Sequence, residues 1–236
     1  MINLHRAEAI VFDVDGTLYE QGPLRRAMLR RLVRECVVKP RAGIATLRAL
    51  RAYRHAQELL RGARMQGSLQ TAQVALASLL SGQQPQVVSR IVERWMHQEP
   101  LALLERLVEP ALRRLLGEAA NRGIRLAVLS DYPAAAKLEA MGLSEFFPIV
   151  VCAQDPEVNR FKPDPAGLSV VLGRLGVAPA KSVYVGDRHE VDAAVASALG
   201  MPCVIVGPRR PSLGSQGFLS VSNHAELYGR LFPATT

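Results

Sequence analysis

The apolar run Ile10-Val11-Phe12 ends in Asp13-Val14-Asp15-Gly16-Thr17. Side chains two residues apart on an extended strand project from the same face, and two carboxylates held that close call for a cation or a shared proton. A metal-assisted nucleophile with an acid/base partner needs such a pair. Further candidates recur downstream: Ser130 after the apolar run 124–129, Lys162 in the loop 160–165, and Asp187 after the run 182–185. Together they supply the parts of a phosphoryl transfer. Asp13 is the nucleophile and Asp187 completes an oxygen shell for Mg²⁺. Ser130 and neighbouring N–H groups hold a phosphoryl oxygen, Lys162 adds a point charge, and Asp15 carries the proton. A calcium loop is excluded, because its twelfth position must be acidic and here it is Leu24.

Each residue alone has a plainer reading. Acidic residues end strands, serine caps turns, a lysine before proline is usually solvated, and Asp187 could cap a helix. Their joint order is what points to a phosphate site, and elements must exist to bring them together. From Pro23 to about Leu107 apolar residues recur every three to four positions, with breaks near Lys39-Pro40, Gln66-Gly67 and Gly82 to Pro85, which predicts about four amphipathic helices. After Pro110 helix and strand alternate. Helices are expected at 111–121, 133–141, 166–175 and about 192–199, and strands at 124–129, 149–152, 182–185 and 203–206. A loop from Gly207 to Gly217, a weak strand at 218–221 and a short helix at 225–231 close the chain. Repeated strand-helix units predict an α/β fold with a doubly wound parallel sheet, whose strand tips carry Asp13, Ser130 and Asp187 into one crevice. The expected organisation is a catalytic core of residues 1–20 and 108–236 interrupted by an all-α insert, 21–107.

Asp13-Val14-Asp15-Gly16-Thr17, Leu129-Ser130-Asp131, Lys162-Pro163-Asp164-Pro165 and Gly186-Asp187 with Asp192 resemble, in order and spacing, the four motifs of the haloacid dehalogenase-like hydrolase superfamily. The inserted helical stretch matches the place of the cap in its phosphoglycolate phosphatase-like branch. The resemblance implies a Rossmann-like core and an aspartyl-phosphate at Asp13, with Asp15 protonating the leaving group and then activating water. It further implies that Thr17 and Ser130 position the phosphoryl group and that Lys162 neutralises charge. Mg²⁺ would be held by Asp13, the backbone carbonyl of Asp15 and Asp187, supported by Asp192. One departure is Asp131, where relatives often carry asparagine, which puts an extra negative charge beside the substrate pocket.

The chain has 236 residues, 49% hydrophobic, enough for a sizeable core and outside any disordered class. Cys36, Cys152 and Cys203 have neither zinc nor disulfide spacing. With no apolar run near 18 residues and no leader pattern before Asp13, a soluble cytoplasmic protein is expected. Between residues 21 and 64, eleven arginines and Lys39 oppose only Glu35 and Glu58, more than the whole chain's excess of +8. Amphipathic helices usually turn such charges to water, whereas a crevice-facing subset would favour a small phosphorylated metabolite with a second anionic group. Alternatives on the same core are a phosphomutase and a dehalogenase. Dehalogenation needs no acid for its leaving group, so Asp15 argues against it. A Schiff-base phosphonate enzyme has only Lys39 available in the insert. A nucleic-acid-binding protein would want aromatics among the basic residues, and Tyr53 is alone there.

Overall fold

A computed structural model of the chain describes residues 4–64, 66–207 and 217–233. The apolar runs form strands β1 (Ala9–Phe12), β2 (Arg125–Ser130), β3 (Ile149–Cys152), β4 (Ser182–Gly186), β5 (Cys203–Val206) and β6 (Phe218–Val221). They make one parallel sheet in the order β3-β2-β1-β4-β5-β6. The strand order reverses at β1, between its neighbours β2 and β4, and ligands of open α/β sheets bind outside the strand ends at such a point. Phe12 lies level with Val128 and Val185. The N–H of Asp13 donates to the Val185 carbonyl at 2.8 Å, which extends the ladder one residue and fixes the backbone that carries the first carboxylate.

Period-two alternation sorts the strands' side chains onto two cores. Ile10, Phe12, Val128 and Val185 pack on one face with α6 (Pro110–Asn121), α7 (Ala135–Ala140) and α10 (His224–Leu231). Ala9, Val11, Leu129 and Tyr184 pack on the other with α8 (Ala166–Leu175) and α9 (Ala194–Ala198). Fully burying one such large apolar side chain contributes about 1.5–3 kcal/mol. The inserted helical region comprises α1 (Gln21–Val38), α2 (Pro40–Leu60), α3 (Leu69–Ser81) and α4 (Pro85–Val92), then a wider turn over Glu93–Gln98 and α5 (Leu101–Leu104). Its breaks fall at Lys39-Pro40, across 61–68 and at left-handed Gly82, as the sequence pattern predicts.

Three differences from expectation have local causes. α7 begins two residues later than Pro133, after the bend that follows the β2 tip. The helix expected from about Asp192 is preceded by a wide turn over His189–Ala193, within which the Asp192 carboxylate accepts the N–H groups of Asp187 and Arg188. α10 starts at His224 because Asn223 caps it, accepting the Glu226 N–H at 2.9 Å. The loop expected from Gly207 to Gly217 lies almost wholly outside the described residues. No helix among the described residues is long and apolar enough to cross a membrane.

Candidate active site

Asp13, Ser130 and Asp187 stand at or just past the tips of β1, β2 and β4, and Lys162 reaches them from the loop before α8. The Lys162 ammonium lies 2.6 Å from Asp13 Oδ1 and 2.7 Å from Asp192 Oδ1, and 3.1 Å from the Tyr184 hydroxyl. Its backbone is held from both sides. The N–H donates to Asp131 Oδ1 at 3.1 Å and the carbonyl accepts from Arg61, the residue that follows α2. Thr17 is buried with its hydroxyl 3.4 Å from Asp13 Oδ2. Ser130 is also buried, its oxygen accepting the Tyr132 N–H at 3.3 Å. These residues border a cavity of about 1040 Å³ between the sheet edge and the helical insert.

The electrostatics follow from crowding. Burial pushes the Asp13 carboxyl well above the usual carboxylate range, opposed by Lys162 and reinforced by Asp192 and Asp187. Burial also raises Asp187, to about 6, with Asp192 adding to the effect. Burial disfavours charge on Lys162, but Asp13 and Asp192 outweigh it and raise its pKa above the ordinary lysine value. Asp15 differs from its neighbour. Burial would raise it, yet the Lys137 ammonium at 2.6 and 2.8 Å and the Tyr19 hydroxyl at 2.5 Å hold it below the usual range.

Carboxylate oxygens of Asp13, Asp187 and Asp192 lie within 4.8 Å of one another, which fits a divalent-metal site. Both Asp192 oxygens are engaged, one by Lys162 and Tyr184 and the other by two backbone N–H groups, so Asp192 braces the site. Gly16 lies against Asp187 at φ +100°, where any Cβ would overlap that carboxylate. Glycine therefore keeps room for the acidic pair to approach.

The sequence pattern of the haloacid dehalogenase-like hydrolases matches residues 7–200. The chain belongs to this family. It is 31% identical to the phosphoglycolate phosphatase of Rhodospirillum rubrum, over 91% of this chain and 86% of that one. It is 30% identical to the glyceraldehyde 3-phosphate phosphatase of Methanopyrus kandleri, over 84% and 82%. The crystal structure of a HAD phosphatase from Thermococcus onnurineus superposes with a TM-score of 0.64 at 22% identity, covering 93% of this chain and 95% of that one, a likeness of fold. The chain is thus a HAD-like phosphatase.

Several residues of this phosphatase site lie beyond what its motifs mark. Asp131 is bound by the insert: Gln57 Nε2 donates to its Oδ2 at 2.9 Å and the Arg61 guanidinium pairs with it at 2.9 Å. Gln57 in turn accepts the Tyr132 hydroxyl, which accepts from Gln73, which accepts from Gln154, each at 2.8 Å. This polar chain and the packing of Tyr53, Leu60 and Leu69 with Tyr132, Ala153 and Phe161 join α2 and α3 to the sheet's loops. The side-chain amide of Asn159 adds to it, its Oδ1 accepting the Leu69 N–H and its Nδ2 donating to the Gly67 carbonyl, each at 2.7 Å. No motif spacing flags Lys137, Tyr19, Gln57 or Arg61, since each acquires its partner only through folding.

Proposed function

We propose that the chain is a Mg²⁺-dependent phosphatase that hydrolyses a small phosphate monoester through an aspartyl-phosphate on Asp13. The observation that carries this reading is the Lys162 ammonium bonded at once to Asp13 and Asp192 beside Asp187. That arrangement leaves the second Asp13 oxygen with a 3.4 Å contact from Thr17, in a residue that lines the cavity. Asp13 attacks phosphorus, forming an acyl phosphate as the ester oxygen leaves with a proton from Asp15. A water then attacks the same phosphorus, giving its proton back to Asp15 and freeing Asp13. Thr17 and Ser130 orient the phosphoryl oxygens while Lys162 offsets their charge. Asp13, Asp187 and the Asp15 backbone carbonyl would hold Mg²⁺, which supplies charge stabilisation for the transferring group.

Residues 21–107 act as the cap over a core of residues 1–20 and 108–236. Arg25, Arg26 and Arg54 border the cavity and have no acidic partner among the described residues, whereas Arg61 is committed to Asp131 and Glu58. A substrate with a second anionic group fits three unspent guanidinium groups better than a neutral sugar phosphate does. Phosphoglycolate, named by the Rhodospirillum relative, is of that kind; glyceraldehyde 3-phosphate, named by the Methanopyrus relative, is not. The test is Mg²⁺-dependent phosphate release from a panel holding both, repeated with Asp13→Asn. Turnover should fall at least about 10⁴-fold, the scale of losing a nucleophile. Wild-type turnover in the purified, folded variant would overturn the reading.

A further inference from the structure

The chain uses lysine sparingly. It has four, at positions 39, 137, 162 and 181, and only Lys137 and Lys162 are buried. Each buried lysine meets one member of the Asp13/Asp15 pair. Lys162 serves Asp13, and Lys137, from α7, serves Asp15 with both carboxylate oxygens in reach at 2.6 and 2.8 Å. The side chain of Lys137 is 8% exposed and that of Asp15 29%, so the ammonium lies behind the carboxylate and the carboxylate borders the cavity. Tyr19, also buried, donates to Asp15 Oδ1 from one turn further along the chain. An ammonium taken out of water is costly unless it is paired, and Asp15 is the partner that the fold gives it.

The geometry points to Lys137, together with Tyr19, as the positioning residue of Asp15. Three donated hydrogen bonds converge on one carboxylate that would otherwise rotate about its terminal torsion. They fix the direction from which Asp15 exchanges its proton with the ester oxygen and later with water. Lys137 touches neither, and acts through Asp15. α7 provides this reach because it follows the tip of β2, so its first turns overhang the edge of the sheet where the crevice lies. The contact is distinct from the Lys162 cluster: Asp15 is the only carboxylate bonded to Lys137 among the described residues. This inference rests on the proton-carrying role given to Asp15 above.

The experiment compares kcat for an alkyl phosphate, whose leaving group needs a proton, with kcat for p-nitrophenyl phosphate, whose leaving group does not. It uses the wild type, Lys137→Met, Lys137→Arg, Tyr19→Phe and, as reference, Asp15→Asn. Lys137→Met is expected to lose about 10- to 100-fold on the alkyl ester and less than about threefold on the aryl ester, a part of the 10²–10⁴-fold that a positioned acid contributes. Lys137→Arg should recover part of the loss, and Tyr19→Phe should reproduce the selectivity on a smaller scale. If Lys137→Met does not fold, the arginine and tyrosine variants carry the comparison. Equal losses on both esters beside a discriminating Asp15→Asn would overturn the role of Lys137 alone. An Asp15→Asn that fails to discriminate would overturn the acid/base reading, and this inference with it.

Discussion

Charge is handled in opposite ways on the two walls of the crevice. On the sheet side almost every charged group is already matched: Lys162 with Asp13 and Asp192, Lys137 with Asp15, Asp131 with Arg61. On the facing wall Arg25, Arg26 and Arg54 stand without acidic partners among the described residues. A wall whose charges are satisfied before substrate arrives is organised for the reacting atoms, which cost no rearrangement at the moment of reaction. A wall with unspent charge contributes when a ligand brings the counter-charge. The first kind of residue should govern kcat and the second KM.

Lys162→Met attacks that division where it is strongest. It leaves two carboxylates in a buried site without their cation, so kcat is expected to drop about 10²–10³-fold. Stability should fall as well, by about 3–5 kcal/mol, the scale of breaking a buried pair from one side. Turnover and thermal melting of the same preparation read both, and a variant with wild-type kcat would dissolve the distinction between the walls. A smaller effect is expected from Arg54→Gln combined with Arg25→Gln. KM for a doubly anionic substrate should rise about 3- to 10-fold, with kcat little changed and a neutral monoester unaffected. The wild-type preference should shrink as salt is raised through the physiological range, because contacts made by exposed arginines are screened there.

The smallest effect comes from a carboxylate–imidazole contact that also borders the cavity but takes no part in the proposed chemistry. Glu109, ahead of α6, accepts from His224 at the start of α10 at 2.8 Å, and that bond holds its carboxyl below the usual glutamate range against the opposing effect of burial. A depressed folded pKa stabilises above the unfolded value, near pH 4.3, and the contribution is lost as pH falls through the folded one. Glu109→Gln should therefore cost under about 1 kcal/mol at neutral pH, since the carboxylate is partly exposed. The gap between wild type and variant in urea unfolding should close below about pH 4. A gap that persists in acid would mean that the bond does not depend on charge.

What the sequence disclosed follows the range of its signals. β3, α8, β5 and β6 have the bounds predicted for them, because short apolar runs and helical spacing are local patterns that neighbouring residues alone fix. Asp13, Ser130 and Asp187 were placeable because a parallel sheet delivers strand ends to one edge whatever the side chains are. Lys137 was not. It sits in Ala134-Ala135-Ala136-Lys137, where a lysine reads as solvent-facing, and its partner is 122 residues away. The charge count located the arginines in the insert, yet only the packing of α1 and α2 determines that Arg25, Arg26, Arg54 and Arg61 border the cavity while Arg30 and Arg34 do not. Asp131 was legible as a departure from the motif. That its carboxylate is occupied by Gln57 and Arg61 depends on a helix 70 or more residues earlier in the chain.

The polar chain from Asp131 through Gln57, Tyr132 and Gln73 to Gln154 also bears on modularity. An insert between two motifs looks like a cassette that could be exchanged among related enzymes. Here its α2–α3 end shares hydrogen bonds and apolar packing with Tyr132, Ala153, Asn159 and Phe161 of the recipient. A graft cut at the insert's ends would strand buried amides and a tyrosine hydroxyl, at about 1–3 kcal/mol for each group left unsatisfied. The heritable unit is the helices plus the loops after β2 and β3, and a chimaera that respects it must carry three separate stretches of sequence together.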